Sequence, residues 1–306
     1  MKRHLSAFLT LLAAATAITG SLAADQTSLS GGIGYRQDSL TWKSNGRSNV
    51  NPKTKSNLHF EDVEIVMLGF NGKTTFGHSN AYFKLGFDYG WIVDGRLREQ
   101  LRVDQQTRAC QHLSGSYADS GKFLEAAVHN NVRRHSFVWD LDLKLGYPVQ
   151  CICDTFSIAP TLGFMLNREQ IRVHGHSPIC DAMDDFADEN NPKHGSHYRF
   201  SAWGPYVGLD FAYALENCWS LYADLEVHFG RIRRDRDCDT DYAHIDRLQR
   251  TKSFWGPSIK VGANYVLCDS WIIDASVYYS KYVSCTNRDK FTWATGNIRL
   301  DLGTVF

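Results

Sequence analysis

The chain has 306 residues, with 33 lysine and arginine residues against 33 aspartate and glutamate residues. This zero formal charge argues against a nucleic-acid-binding protein, which would carry an excess of positive charge. The mean hydropathy of −0.33 resembles that of soluble proteins. It does not exclude a transmembrane barrel, because only one face of each barrel strand is apolar.

The first residues have the pattern of an export signal. A basic start at residues 1–4 precedes an apolar run over residues 5–18 and small residues at 21–24. The apolar run is shorter than the roughly 20 residues of a spanning helix and is followed by an alanine-type cleavage site. We therefore predict a signal peptide over residues 1–23 and a single barrel domain over residues 24–306, since no linker-like segment divides the remainder.

Alternating apolar and polar residues recur along the mature chain. The pattern is strict at residues 221–229, where Leu, Ala, Leu, Val and Phe alternate with Tyr, Asp, Glu and His, and side chains of a strand switch faces at every residue. In chain order, the predicted strands cover residues 29–42, 59–70, 83–91, 132–147, 156–164, 206–229 as a pair, 258–283 as a pair, and 291–306. Pro160 interrupts the fifth strand, because proline cannot donate a hydrogen bond to a sheet.

These segments amount to about ten strands, each long enough to cross a bilayer at a tilt. Short connections near residues 71, 150, 217 and 269 alternate with longer polar ones, centred on residues 43–57, 96–130, 174–195 and 233–250. That asymmetry is typical of outer-membrane barrels with short periplasmic turns and long extracellular loops. The sequence therefore predicts an all-β fold, a single antiparallel transmembrane barrel with both termini periplasmic; a soluble β-sandwich is the alternative.

A short motif is repeated in the second half of the chain. Trp203-Gly204-Pro205 opens one strand pair and Trp255-Gly256-Pro257 opens the next, and each pair has a turn containing a cysteine and a tryptophan. Repeated hairpins favour the barrel.

The two faces of the predicted strands suggest different roles. Tryptophans near strand ends are expected to anchor the barrel at the membrane interfaces; they are Trp42, Trp91, Trp139, Trp219, Trp255, Trp271 and Trp293. The opposite face carries acidic and basic residues, which either pack as pairs in a narrow lumen or line a pore. We count Asp62, Glu64, Lys84, Asp88, Asp140, Asp142, Lys144, Asp210, Asp224, Glu226, His228, Lys260, Arg299 and Asp301 on this face.

Arginines cluster where strands are expected to leave the membrane on the loop side, at Arg133, Arg134, Arg231 and Arg233, with Arg234 and Arg236 beside them. Guanidinium groups bind phosphate oxygens through two parallel hydrogen bonds. The hypothesis is contact with outer-membrane lipid and lipopolysaccharide headgroups; the alternative is a solvated polar rim.

Eight cysteines in an exported chain indicate an oxidising compartment. The predicted turns hold Cys151, Cys153, Cys218 and Cys268, and the predicted loops hold Cys110, Cys180, Cys238 and Cys285. Because a disulfide needs Cα atoms within about 7 Å, we expect two separate sets of disulfides, formed within the chain or with neighbouring envelope proteins. The Cys151-Ile152-Cys153 spacing does not match common zinc or redox motifs, and no metal or cofactor is predicted.

The strand pattern, the Gly90-Trp91 pair at the end of the third strand, the Tyr206-Val207-Gly208-Leu209 segment and the final aromatic strand resemble the omptin family of outer-membrane proteases. The cysteine content resembles that of the cross-linked envelopes of chlamydia-like bacteria. The omptin resemblance implies two catalytic motifs. The Asp-Gln-Asp motif here reads Asp104-Gln105-Gln106. The Asp-x-His motif is replaced by the segment from Asp237 through Asp239 to Asp241, with His244 nearby.

An omptin site needs a carboxylate pair and a histidine–carboxylate pair close enough to activate water. Asp104, Asp239 and His244 are therefore candidates for a degenerate catalytic site, and the sequence favours a protein that is not an enzyme. We expect a structural or surface role, either adhesive or in envelope cross-linking. The alternatives are a narrow porin and an omptin-like endopeptidase.

Overall fold

The computed structural model describes residues 24–48, 51–77, 80–103, 124–131, 136–150, 155–174, 195–216, 218–238, 250–268, 270–284 and 289–306. They form the strands β1 (Ala24–Ser48), β2 (Asn51–Phe76), β3 (Ala81–Val103), β4 (Leu124–Asn131), β5 (Phe137–Gly146), β6 (Val149–Gln150), β7 (Phe156–His174), β8 (Gly195–Ala214), β9 (Trp219–Cys238), β10 (Arg250–Cys268), β11 (Trp271–Ser284) and β12 (Asp289–Val305). None of the described residues forms a helix long and apolar enough to span a membrane.

The strands form one closed antiparallel barrel. Neighbours follow the order β2-β1-β12-β11-β10-β9-β8-β7-β5-β3-β4, and the β2–β3 pairing closes the ring. Strand β4 pairs with the distal part of β3, β5 pairs with its proximal part, and β6 continues β5 along β7. These three segments together make one barrel strand, so the predicted ten-stranded antiparallel barrel is confirmed.

One end of the barrel, here called the turn end, carries the short connections after β2, β6, β8 and β10; the opposite end is called the loop end. Strand β1 has 25 residues. At about 3.3 Å per residue and a tilt of about 45°, such a strand rises roughly 60 Å, about twice the thickness of the hydrocarbon core. The barrel is therefore much taller than a bilayer requires.

The strands continue beyond the predicted boundaries, mostly at the loop end. The predicted loop over residues 43–57 is largely the ends of β1 and β2, and the predicted connection over residues 96–130 contains the end of β3 and all of β4. The short connection predicted from Asn71 is present but begins later, because β2 runs to Phe76 and the turn follows it. Polar side chains in these segments caused the errors, since a strand outside the membrane needs no apolar outer face.

A belt of exposed apolar side chains surrounds the barrel near the turn end. It includes Ile33, Leu68, Leu162, Leu225 and Ile298, and the predicted anchors Trp91, Trp219, Trp255 and Trp271 lie on this outer surface at 45–47% exposure. Exposed aromatic residues at both edges of such a belt are typical of the two membrane interfaces.

Two of the predicted tryptophan anchors are wrong. Trp42 and Trp293 are 0% and 1% exposed and lie inside the barrel. Their positions follow from strand alternation: Trp42 shares the inward parity of Arg36, Asp38 and Leu40. The prediction that Glu64 faces the lumen is also wrong. Glu64 points outward between the buried Val63 and Ile65, because the strand is irregular at Asp62, whose φ is 50°.

Pro160, which interrupts a predicted strand, and the two prolines of the Trp-Gly-Pro repeat lie where sheet pairing is interrupted. Pro160 faces the junction between β5 and β6, where the amide nitrogen of Tyr147 donates to its carbonyl oxygen at 3.2 Å. The repeated Trp-Gly-Pro motif leaves two-residue gaps in the β8–β9 ladder at residues 204–205 and in the β10–β11 ladder at residues 256–257, without a change of register. Proline lacks the amide proton that a sheet ladder needs, so the repeat marks two equivalent interruptions of the backbone hydrogen bonding between neighbouring strands.

Candidate functional site

The barrel interior is divided into an apolar layer at the loop end and a charged layer towards the turn end. The apolar layer, called the plug below, consists of Leu40, Trp42, Leu58, Phe60, Val63, Ile65, Met67, Ile92, Leu97, Val138, Met165, Ile171, Val173, Tyr198, Phe200, Ala202, Tyr206, Ile232, Phe254, Tyr282, Phe291 and Trp293. All of these side chains are at most 9% exposed. The interior at this level is thus a packed core.

Aromatic contacts join plug residues from different strands. Phe60 packs edge-to-face against Tyr198 and Phe200, with ring centroids 5.2 and 5.6 Å away. Trp42 makes an edge contact with Phe291 at 5.3 Å, and the Arg234 guanidinium lies 4.8 Å from the Trp42 ring centroid. Edge-to-face geometry is favourable between aromatic rings, and a guanidinium over an indole ring is attracted to it. These contacts close the interior towards the loop end.

The charged layer centres on Lys144, whose side chain is 4% exposed. Its Nζ donates to Asp210 Oδ1 at 3.0 Å and Asp224 Oδ2 at 3.2 Å and lies 2.6 Å from Glu226 Oε1. Lys84 adds a second ammonium group, 2.8 Å from Asp210 Oδ2. We call these five residues the lysine–carboxylate hub. Three buried carboxylates are compensated there by two lysines, as buried charge requires.

Two arginines each bind two further carboxylates of the charged layer. Arg36 binds Asp38 on its own strand and reaches across the barrel to Asp140 at 2.6 Å. Arg299 binds Asp301 through Nε at 2.7 Å and also binds Asp88. The planar guanidinium can bind two carboxylates at once, so each arginine ties together distant parts of the barrel wall.

A cavity of about 780 Å³ lies within the charged layer. Its lining includes Gln26, Thr75 and Asn80 near the turn end and reaches Tyr282 and Trp293 of the plug. The cavity is therefore a cup that extends from the turn end and stops at the plug. This arrangement confirms that charged side chains fill much of the lumen by pairing, and it adds an apolar seal that the sequence analysis did not predict.

Two groups in the charged layer resemble reactive or metal sites. The carboxylates of Asp210, Asp224 and Glu226 offer oxygen atoms within 4.8 Å of one another, but the Lys144 ammonium contacts all three and already supplies the positive charge. His228 Nε2 lies 2.9 Å from Ser258 Oγ and 3.0 Å from Glu226 Oε2. Because serine and carboxylate share one ring nitrogen, while Nδ1 has no hydrogen-bond partner, this group lacks the geometry of a nucleophile relay.

Most predicted site residues lie outside the described residues. This applies to the catalytic candidates Asp104, Asp239 and His244, to Arg133 and Arg134, and to Cys110, Cys151, Cys153, Cys180 and Cys285. The backbone places Cys268 at the turn end and Cys238 at the loop end, while Cys218 has an exposed free thiol in the turn between β8 and β9. Arg231 and Arg233 lie on the outer face of β9, just beyond the apolar belt.

The plug is the part of the interior that sequence reasoning missed. The signal was present in the inward positions of the outer strand segments. Tyr198 and Phe200 continue the alternation of β8, whereas Leu58 and Phe60 of β2 alternate only up to the irregularity at Asp62, beyond which the inward positions shift by one residue. It was overlooked because residues 196–202 lay between a predicted loop and the next predicted strand, and because the strand predicted over residues 59–70 began only at the edge of this segment. Ser258 of β10 was also missed, since an isolated serine in a strand carries no pattern of its own.

Comparisons with solved structures support the fold. The chain is similar to the outer membrane protease OmpT of Escherichia coli, with a TM-score of 0.63 and 12% identity over 94% of this chain and 98% of that one. The attachment invasion locus protein Ail of Yersinia pestis, in complex with the heparin analogue sucrose octasulfate, gives a TM-score of 0.28 at 11% identity, covering 92% and 98% of the two chains. OprG of Pseudomonas aeruginosa gives 0.31 at 12%, covering 93% and 97%. Only the first score shows a shared fold.

Sequence comparison gives the family. No curated protein sequence matches the chain. A family model described as "Protochlamydia outer membrane protein" matches residues 31–302, which span the barrel from β1 to β12. With its closed ten-stranded barrel and apolar belt, this chain is an outer-membrane β-barrel and belongs to the Protochlamydia outer membrane protein family.

Proposed function

We propose that this protein is a sealed structural barrel of the outer membrane, whose role is carried by its surface rather than by its lumen. The supporting observation is the plug: its largest side chains, Trp42, Phe60, Tyr198, Phe200 and Trp293, are at most 1% exposed. A conducting barrel needs a continuous water-filled path. A packed core across the barrel opposes the narrow-porin alternative and favours a rigid platform that carries strands and loops above the bilayer.

Conductance in planar lipid bilayers tests the seal. The refolded barrel is expected to insert without producing unitary current steps, while a general porin reconstituted in parallel shows that the bilayers report open channels. Insertion is checked independently in lipid vesicles that contain the same protein, from the heat-modifiable gel mobility of the recovered barrel. Reproducible current steps from inserted wild-type barrel would contradict the proposal and restore the porin alternative.

The surface role includes two proposed partners. Outer-membrane lipid and lipopolysaccharide headgroups would meet the arginines of the loop-end rim, with the termini and short turns on the periplasmic side.

Envelope proteins carrying cysteine would form mixed disulfides with the exposed Cys218 thiol. Purification under non-reducing conditions with thiols blocked at lysis tests the second contact: a disulfide-linked species should vanish in a Cys218→Ser variant, and its persistence would exclude this cysteine.

An endopeptidase remains the alternative with a direct test. Cleavage of a dibasic peptide that is abolished by replacing Asp104, Asp239 or His244 would support the degenerate omptin-like site. The proposal of a structural barrel predicts no cleavage by the wild-type protein.

A further inference from the structure

We propose that the inner wall formed by β9, β10 and β11 holds a free amino acid in the cup, with its carboxylate at Lys260 and its ammonium group at Asp274. This inference goes beyond the proposed function, because it gives the lumen a ligand. It does not depend on the seal, since the cup opens at the turn end and the site lies on the near side of the plug.

Two charged side chains of the cup lack an ion-pair partner. Lys260 of β10 and Asp274 of β11 are both half-buried, and both line the cavity. Among the described residues, no side chain of opposite charge lies within 4 Å of either one. Charged groups in a partly buried site are stabilised by a partner, so this ammonium and this carboxylate are available to a ligand.

The pairing of the strands explains why both groups are left without a partner. Asp224 lies opposite Lys260 in the β9–β10 ladder, but the Asp224 carboxylate accepts a hydrogen bond from Lys144 at 3.2 Å. Asp274 lies opposite another acid, Asp301, in the β11–β12 ladder. The charges that could have neutralised the two groups are therefore engaged elsewhere or have the wrong sign.

Tyr222 of β9 keeps the two groups apart. Its ring lies over Gly262 of β10, where a Cβ atom would come within 2.5 Å of the phenol oxygen. The hydroxyl donates to Asp274 Oδ1 at 3.1 Å, and Lys260 Nζ lies 5.6 Å from the ring centroid. Lys260 is on the loop-end side of Gly262 and Asp274 is on its turn-end side. The phenol thus holds an ammonium and a carboxylate on either side of one polar surface.

A free amino acid is complementary to this arrangement. It carries a carboxylate and an ammonium group on the same carbon atom, so it can accept from Lys260 while it donates to Asp274. Hydrogen bonds between charged groups are shorter and stronger than those between neutral ones. An anion alone would leave Asp274 unpaired, and a cation alone would leave Lys260 unpaired. The site therefore favours a zwitterion over either.

The rest of the cup suits a polar, uncharged side chain. Asn264 lies opposite Asp274 in the β10–β11 ladder and lines the cavity, as do Asn71, Asn80 and Gln26. Their amides can both donate and accept hydrogen bonds. The cavity of about 780 Å³ has room for a side chain beside the head group. L-glutamine is therefore the probe that matches both the charges and the lining.

Equilibrium dialysis of the refolded barrel in neutral detergent, with radiolabelled L-glutamine, tests the site. We expect one saturable site per barrel. Two analogues test the two charges separately: glutaramate lacks the ammonium group, and γ-aminobutyramide lacks the carboxylate. Each should compete at least about tenfold more weakly than unlabelled L-glutamine, since each loses one charge-assisted contact. Equal competition by either analogue would refute the pairing of both charges.

Variants locate the ligand within the cup. Lys260→Met and Asp274→Asn should each weaken L-glutamine binding by about tenfold or more. The matched control is Lys73→Met, because Lys73 lines the same cavity from β2 and, among the described residues, also has no carboxylate within 4 Å. This control should bind like the wild type, and heat-modifiable mobility confirms that each variant is folded.

Two results would overturn the inference. One is the absence of saturable L-glutamine binding to the folded wild-type barrel. The other is a loss of binding in Lys73→Met as large as that in Lys260→Met, which would mean that the cup attracts anions without a defined site. Conductance is a separate measurement: a sealed barrel that binds no L-glutamine refutes only this inference, and a conducting barrel that binds it refutes only the proposed function.

Discussion

Replacing Lys144 with methionine should be among the most destabilising single changes in the charged layer. The substitution keeps an unbranched side chain, one atom shorter, and removes the ammonium that binds Asp210, Asp224 and Glu226 at 3.0, 3.2 and 2.6 Å. Removing one partner of a buried ion pair costs roughly 3–5 kcal/mol, because the other charge stays buried. Lys84 still neutralises Asp210 at 2.8 Å, so we expect a loss near the lower limit, about 3 kcal/mol.

The free energy of unfolding can be measured by urea titration of the barrel in lipid vesicles, followed by tryptophan fluorescence and gel mobility. Lys43→Met is the matched control, since Lys43 is exposed on the outside of β1; its effect should stay within about 0.5 kcal/mol. The double variant K144M/E226Q should recover part of the loss, because it removes the charge of the nearest carboxylate. Two results would refute the hub as described. One is a K144M loss in the free energy of unfolding that is no larger than that of the control; the other is a double variant whose loss equals the sum of the two single losses.

Three further predictions concern the wall, the plug and the orientation. Gly204→Ala should destabilise the barrel by about 1–3 kcal/mol in the same urea titration, because a Cβ there would collide with the Phe229 carbonyl oxygen. The control Gly296→Ala should be close to neutral, because no atom lies within 4 Å of a Cβ at that position. Phe200→Ala should cost about 3–5 kcal/mol by emptying space in the plug, measured against Phe229→Ala on the outer face; equal losses would mean that the plug is loosely packed. A membrane-impermeant maleimide should label Cys218 only after permeabilisation of the outer membrane, with Cys218→Ser as the blank, and labelling in intact cells would reverse the proposed orientation.

Strand alternation was enough to predict the barrel and the direction of most side chains in its membrane-spanning part. Residues 221–229 show why: Leu225 is 42% exposed and faces outward, while Asp224 and His228 are 7% and 3% exposed inside. An apolar outer face is imposed by lipid at every second residue, so the signal is strong wherever the bilayer is. The sequence also indicated that lumenal charges would pair, because mixed signs at that density cannot remain buried separately.

Alternation was less informative beyond the membrane. There the outer face meets water and the inner face can be apolar, so the pattern reverses, as in β2, where Phe60 is 0% exposed inside while Glu61 lies outward. In β8, the reversed alternation that contains Tyr198 and Phe200 lay outside the predicted strands. Which lysine meets which carboxylate also could not be predicted, since Lys144 and Glu226 meet across the lumen from strands far apart in sequence.

The reversal of pattern explains why one barrel contains two kinds of interior. Inside the bilayer, the outer face is apolar by necessity, and this barrel fills its lumen there with paired charges around a cup. Above the bilayer, the outer face is wetted, and only the interior can remove apolar surface from water. At about 25 cal/mol per Å² of buried apolar surface, the plug supplies the burial that the membrane supplies lower down. The plug residues therefore have two effects. They stabilise the strands beyond the bilayer by burying apolar surface, and they close the lumen.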